Sequence, residues 1–579
     1  MFELSDQKKE LLKTEGPLLI LGGPGSGKTT IALLKANQII DEARLKQGQL
    51  ILFLSFARAT VSRVEQQVIQ MVASDNKKHI EVNTYHGFIW SILRSHGYLL
   101  NSKVPLKLLT PPEAASKLAN INAGKERETE KRRLFNTEGI VHFDLFASLG
   151  AELLLRSSAL AKIVSDTYPV VILDEFQDTN ADEWGFIQEL GKRSKLIALA
   201  DAEQRIYEFR GADPARISEF IKQYKPKQFD FGLENNRSSG TDITDFGNDL
   251  LSGSNKGKQY KNVQIITYPF RKGEWLYFDV KIAAIKAARK LIDSGSKKNW
   301  SVAVLVPTKR LMMEVSDYFS ETQVFKNQTL RGISHEVALE TTGPSLAAIL
   351  IGGLLDSEFT KEEIFRNLIN SLCEHIRGRN GNEPPSKANL ELAEALSEYT
   401  ATGKIRGTKR QTIVKDCKQI IDSIFDSKYC GNPSEDWNRI VDVMSKSNSE
   451  VIKQVVIDSS YLRILHKGSE LRSSLSTLWR TYGSYKGAGQ AIRSSLLQEY
   501  FSSSAKEYRG IHIMTIHKSK GKEFDEVVIY EGQFQGKIVN KMHGIKSIEQ
   551  SRLSLRVGVT RARQNVTIVT PARDICPFL

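Results

Sequence analysis

The segment LLILGGPGSGKTT, Leu18 to Thr30, decides the fold of the N-terminal part of the chain. An aliphatic run, Pro17 to Leu21, reads as a short buried strand, glycines break it, and a helix-favouring run follows from Ile31 to Ile40. From Gly22 to Thr29 the residues match GxxxxGK[ST]. A glycine turn of this length also arises by chance, but a strand before it and a helix after it are the context that a phosphate loop requires. In the loop Gly22, Gly23, Pro24, Gly25, Ser26 and Gly27, the glycines let successive backbone N–H groups turn inward around phosphate oxygens, at the positive end of the following helix. Lys28 is then expected to reach the β and γ phosphates, the Thr29 hydroxyl to hold Mg²⁺, and Thr30 to complete the loop. The segment implies a nucleoside triphosphate and a metal.

The chain has 579 residues, which at roughly 100–200 residues per domain predicts about three to five domains. Its net charge of +14 suggests a polyanionic partner, nucleic acid before an acidic membrane surface, although solubility alone produces such a balance. No run of eighteen apolar residues occurs, and MFELSDQKKE lacks the basic-then-apolar order of a signal peptide; a cytoplasmic protein without a membrane partner is expected. Cys373, Cys417, Cys430 and Cys576 show no CxxC spacing, so neither a zinc site nor an iron–sulfur cluster is supported.

Short apolar segments recur in two blocks, the pattern of parallel sheets covered by helices, an α/β fold. Leu18–Leu21, Leu50–Leu54, Val170–Leu173 and Leu196–Leu199 make the first; Val302–Val306, Ile511–Ile516, Val527–Tyr530 and Val566–Val569 make the second. Polar, mostly helical stretches interrupt both. The expected division is a first core at 1–100 and 163–232 with a helical insertion at 101–162, and a second core at 233–321 and 507–579 with a helical insertion at 322–506. The basic cluster Gly403 to Arg410 lies in the second insertion and suits a solvated face as well as a nucleic-acid contact.

A second motif, VVILDEFQD from Val170 to Asp178, delivers two adjacent carboxylates to the end of a predicted strand. Asp174 is expected to hold the Mg²⁺ shell, and Glu175 to polarise the water that attacks the γ-phosphate. Such a pair also closes ordinary turns. A phosphate loop in the same chain makes the catalytic reading the better one.

These two motifs and four more resemble, in order, those of the superfamily 1 helicases of the UvrD, PcrA and Rep type. LADAEQRIYEFRGAD (Leu199 to Asp213) resembles GDxxQxIYxFRGA, and LENNRSS (Leu233 to Ser239) resembles NYRS. IMTIHKSKGKEFDEVVI (Ile513 to Ile529) resembles TxHxxKGLEF, and LRVGVTRAR (Leu555 to Arg563) resembles YVxxTRAR. The resemblance implies two RecA-like P-loop domains, each with a mostly helical inserted subdomain, and an ATP-dependent 3′→5′ single-strand DNA translocase. It implies that Gln7 reads adenine, Gln204 senses the γ-phosphate, Arg237 and Arg561 reach the phosphates from the opposite lobe, and Glu523 lies near the ribose. Guanidinium forks suit the charge that spreads over equatorial phosphate oxygens.

The same resemblance implies a track for single-stranded and tailed duplex DNA. Phe56, Tyr85, His86, Tyr207 and Phe209 would meet bases, Thr84, Thr515 and His517 would contact phosphates or relay between DNA and ATP, and Arg210 would link the track to the nucleotide. Three positions depart from the motifs: Ala200 replaces a glycine, Arg205 a serine, and Asn236 the tyrosine of NYRS, which removes a ring from adenine. Two other readings stay open: a regulatory NTPase subunit of the compact Gabija defence type, paired with a separate OLD-like nuclease, and a degenerate DNA-binding scaffold. Intact Lys28, Glu175, Gln204, Arg237 and Arg561 argue against the scaffold.

Overall fold

A computed structural model describes residues 5–579 except 24, 57, 102–104, 122–123, 202–212, 214, 233–239, 296–299, 326–327, 338–341, 382–384, 426, 461–469, 502–507 and 540–544. The chain divides into two compact units: Met1–Ser91, Gly150–Leu339 and Ser503–Leu579 form one, and Ile92–Leu149 with Glu340–Ser502 form the other.

The first unit holds two six-stranded sheets. One contains β1 (Leu18–Leu21), β2 (Ile51–Ser55), β3 (Ile80–Thr84), β4 (Val170–Leu173), β5 (Lys195–Ala200) and β6 (Lys227–Asp230) in the order β3-β2-β4-β5-β1-β6. The other contains β7 (Val263–Tyr268), β8 (Ser301–Val306), β9 (Glu336–Val337), β10 (Gly510–Thr515), β11 (Phe524–Tyr530) and β12 (Ala562–Pro571) in the order β9-β10-β8-β11-β12-β7. Every neighbouring pair in both sheets is parallel. These are the two RecA-like cores of an α/β protein.

The central strands are continuous apolar runs because helices cover both of their faces. Strand β8, SVAVLV, is buried throughout and splits its side chains by the two-residue period of a strand. Val302, Val304 and Val306 join Val280, Ala284 and Phe319 in one core, while Ala303 and Leu305 join Phe246, Leu555 and Val559 in another. In the first sheet Leu18, Ile20, Phe53, Ile172 and Leu199 pack with Ile31, Leu33 and Val64 of the covering helices. Burying each such side chain is worth about 1.5–3 kcal/mol. Parallel stacking also brings the chemistry-bearing residues to one sheet edge, because Gly22, Phe56, Tyr85 and Asp174 all follow the carboxyl ends of their strands.

The second unit is mostly helical, with one short parallel strand pair, Lys107–Leu108 with Ile140–Val141. Its centre is the helix Thr342–Leu355, TGPSLAAILIGGLL, apolar on nearly all sides and buried at eleven named positions. Ile349, Leu350, Leu354 and Leu355 pack there with Leu368, Ile369, Leu372, Ile420, Trp437 and Ile492. The helix Lys361–Gly378 starts with a capping box, Thr360 and Glu363 satisfying each other's backbone N–H groups. Among the described residues no helix is long and apolar enough to cross a membrane.

Candidate nucleotide and DNA site

The loop after β1 is shaped by two glycines in the left-handed region, Gly25 at φ 78° and Gly27 at φ 87°, which side chains disfavour. At Gly22 the constraint is space: a Cβ there would lie 2.7 Å from Ser26 Oγ and would displace that hydroxyl. Gly27 caps the helix Lys28–Asp41, so the loop ends at a helix N-terminus, where backbone N–H groups point toward the loop. Lys28 Nζ donates to the carbonyls of Gly22 (2.6 Å) and Gly23 (3.0 Å), which hold the ammonium over the loop. Thr29 and Thr30 are half-buried in the first helical turn. Pro24 lies outside the described residues.

Across the sheet, β4 delivers Asp174, 4 % exposed, whose Oδ2 accepts from Ser55 Oγ on β2 at 3.2 Å. Burial and then the charge of Glu175 raise the Asp174 pKa to about 6, against the pull of Arg63 and Lys28. Glu175 takes the left-handed conformation, φ 52°, at the head of the turn Phe176–Asp178; this is rare for a residue with a side chain and aims it out of the strand direction. Burial is the largest single influence on Glu175 and opposes its charge, yet Lys520, Lys28, the Gln177 hydrogen bond and Arg561 together hold its pKa below the ordinary carboxylate value. Gln177 Nε2 donates to Glu175 Oε2 at 2.6 Å, and Gln177 Oε1 accepts from the Asp201 N–H at 3.0 Å.

The second core contributes cations to this cluster. Arg561, 2 % exposed, is braced by Val557 O (3.0 Å) and Thr560 Oγ1 (3.3 Å), and its charge acts on Glu175. Lys520, in the turn region after β10, reaches Asp178 at 2.5 Å. Glu523 receives Arg63 from the first core at 2.5 Å and Arg563 at 3.3 Å. Gln7 is exposed and donates to the Asp230 carbonyl at the end of β6 (3.0 Å). Two residues on, Gly232 O accepts the Gly23 N–H, which places Gln7 beside the phosphate loop. Gln204 and Arg237 lie outside the described residues.

Among the DNA candidates, Phe56 follows β2 and is half-buried, with its ring stacked on Tyr85 at 4.3 Å and 25°. Tyr85 is 1 % exposed, so in this conformation Phe56 and not Tyr85 presents the accessible ring. Thr84 ends β3 and accepts from Gly87 N (2.9 Å); His86 beside it is half-buried. Thr515 ends β10 and is buried; His517, in the turn Ile516–Ser519, has its pKa lowered by burial and by Lys520. Tyr207, Phe209 and Arg210 lie outside the described residues, as does Asn236.

Reasoning from sequence gave no role to Lys520, Asp178, Arg63, Ser55, Gln177 or Arg556. Lys520 and Asp178 stood inside quoted motifs, but pairing them needs the tertiary fold. Ser55 and Arg63 carry no motif at all.

Comparison with known proteins agrees with this geometry. The family of the UvrD/REP helicase N-terminal domain matches residues 4–143 and 115–225, and that of the UvrD-like helicase C-terminal domain matches 349–572. The chain is 23 % identical to a probable DNA helicase II homolog of Rickettsia conorii (97 % of this chain, 91 % of that one). It is 22 % identical to DNA helicase II of Escherichia coli K12 (98 % and 84 %) and 21 % identical to the ATP-dependent DNA helicase PcrA of Bacillus subtilis 168 (97 % and 81 %). Two parallel cores, a phosphate loop facing paired acids, and matches that together run through both cores lead to one conclusion: the chain belongs to the UvrD/Rep family of superfamily 1 helicases.

Proposed function

We propose that this protein is an ATP-dependent 3′→5′ single-strand DNA translocase that separates tailed duplexes, with ATP bound between its two cores. The observation that carries the reading is electrostatic. Glu175 of the first core is held ionised by Lys28 of its own core and by Lys520 and Arg561 of the other, so the base is set for work by groups from both sides.

In hydrolysis the ionised Glu175 takes a proton from the attacking water as the new O–P bond forms and the bond to the β-phosphate oxygen breaks. Lys28 and Arg561 oppose the charge on the transferred phosphoryl group, with Arg237 and Gln204 assigned the same task by their motifs. Mg²⁺ fits the donor set: a buried carboxylate whose charge Glu175 disfavours gains from a divalent cation, and a hydroxyl at the loop completes the pair. Asp174 and Thr29 would hold it, and its chemistry is to neutralise phosphate charge. Gln7 and Glu523 serve adenine and ribose. Closure of the cores on ATP and reopening after hydrolysis move single-stranded DNA along Phe56, Tyr85, His86, Tyr207 and Phe209, with Thr84, Thr515, His517 and Arg210 on its phosphates.

The relatives named above carry helicase names, which supports unwinding over the role of a regulatory subunit beside a separate nuclease. The test is an unwinding assay with duplexes tailed at the 3′ or the 5′ end. Strand separation with ATP on the 3′-tailed substrate is expected; activity confined to the 5′-tailed one overturns the polarity, and no DNA-stimulated hydrolysis on either overturns the reading.

A further inference from the structure

Arg556 stands where the YVxxTRAR pattern carries its tyrosine, so LRVGVTRAR sets a guanidinium where the motif has a ring. It sits on the helix Ile545–Val559 of the second core and is 1 % exposed. Its Nη1 lies 3.9 Å from Asp201 Oδ1, which follows β5 in the first core. Its Nη2 donates to Asn248 Oδ1 at 2.9 Å and lies 4.0 Å from the point a Cβ on Gly23 would occupy. Nε and Nη1 have no hydrogen-bond acceptor among the described residues. Burying unmet donors is costly, so a guanidinium kept in this state calls for a compensating task.

The far side of Asp201 shows what that task is. Its N–H donates to Gln177 Oε1 (3.0 Å), and Gln177 Nε2 donates to Glu175 Oε2 (2.6 Å). Both ends of the Gln177 amide are specified, since a backbone N–H needs an acceptor and a carboxylate needs a donor. The side chain of the second core therefore connects, through Asp201 and Gln177, to the carboxylate that takes the proton. A charge-assisted N–H···O bond is about 2.7–2.9 Å long, so a movement of about 1 Å turns the 3.9 Å approach into a full bond.

We propose that Arg556 is a positioning residue for hydrolysis: as the two cores close, its guanidinium engages Asp201, and the Asp201–Gln177 link fixes Glu175 at the angle at which it accepts the water's proton. The inference rests on Glu175 being the base. It makes hydrolysis conditional on closure through a charged contact, where the motif's tyrosine is a neutral ring.

The test uses the full chain with single-stranded DNA and compares steady-state ATP hydrolysis by Arg556→Met, Arg556→Lys, Asp201→Asn, the Arg556→Met/Asp201→Asn double variant and Glu175→Gln. Arg556→Met is expected to lower kcat by about 10- to 100-fold, the scale of a small misplacement of a catalytic group, with KM and ADP affinity little changed. Arg556→Lys should recover part of the loss, and the double variant should be no slower than its slower parent. Full kcat in a folded Arg556→Met protein, or losses that multiply in the double variant, overturns the inference. Where Arg556→Met does not fold, Arg556→Tyr is read by the same criteria. Activity retained by Glu175→Gln instead overturns the assignment of the base, which separates the two failures.

Discussion

Lys520 Nζ and Asp178 Oδ2 lie 2.5 Å apart, one from each core, with side chains only 4 % and 1 % exposed. Because both charges are out of water, their value depends on each other. Removing one partner of such a pair costs about 3–5 kcal/mol, far more than the pair is worth relative to an apolar replacement.

This pair gives the stability a pH dependence with a defined sign. Burial, outweighing the attraction of Lys520, raises the Asp178 pKa to about 7. In the unfolded chain the carboxyl titrates near 3.9, so between about pH 4 and 7 the unfolded state has lost a proton that the folded state keeps. Stability is therefore greatest at the acid end of that window and falls across it, by on the order of 4 kcal/mol for this group. Asp178→Asn should flatten that slope, and Lys520→Met should destabilise more at pH 9 than at pH 6. Urea unfolding across pH checks both, and profiles parallel to the parent's refute them.

Asp174 makes a second, separable pH prediction. Its pKa of about 6 would rise further without Arg63, whose guanidinium favours the ionised form. If ionised Asp174 is needed for turnover, Arg63→Ala moves the acid limb of the ATPase profile to higher pH. A limb that stays in place or moves down counts against the role. Glu523→Gln should act differently, raising KM for ATP several-fold at nearly constant kcat, the signature of lost uniform binding.

The stacked pair Phe56 and Tyr85 predicts unequal mutants. Phe56 is the accessible ring, and Phe56→Ala should weaken single-strand DNA binding by about 1–3 kcal/mol, the worth of one base stack. The Tyr85 hydroxyl has no hydrogen-bond partner among the described residues, so Tyr85→Phe should leave both stability and DNA affinity nearly unchanged. Fluorescence titration with a labelled oligonucleotide measures the first, and equal losses in the two variants would contradict the arrangement.

Adjacent glycines in the buried helix Thr342–Leu355 should respond with opposite sign. A Cβ on Gly353 meets nothing within 4 Å, so Gly353→Ala gains helix propensity, about 0.5–1 kcal/mol. A Cβ on Gly352 would lie 2.1 Å from Ile492 Cδ1, so Gly352→Ala forces that side chain to move within a packed core and should destabilise. Thermal unfolding of the two variants decides it.

Strands buried on both faces were readable as apolar runs. Leu18–Leu21 and Val170–Leu173 have the bounds that the runs suggested, and Lys195–Ala200 extends its run by one residue at each end. The strands that went unread have mixed exposure. Lys227–Asp230, Val263–Tyr268 and Ile80–Thr84 are all sheet edges, and in IEVNT apolar and polar residues alternate, so none shows the continuous apolar pattern of a covered strand.

The same division separates the two halves of the site. Local chemistry was determined by sequence alone: a loop whose Gly25 and Gly27 must adopt positive φ, a lysine at its end, and two acids closing a strand are requirements of backbone geometry and phosphate charge within a few residues. Which charges neutralise one another was decided only by the tertiary structure. Arg63 finds Glu523, Asp178 finds Lys520 and Asp201 faces Arg556 across hundreds of residues, because each buried charge needs an opposite partner and only the packing of two separate sheets determines which one is within reach.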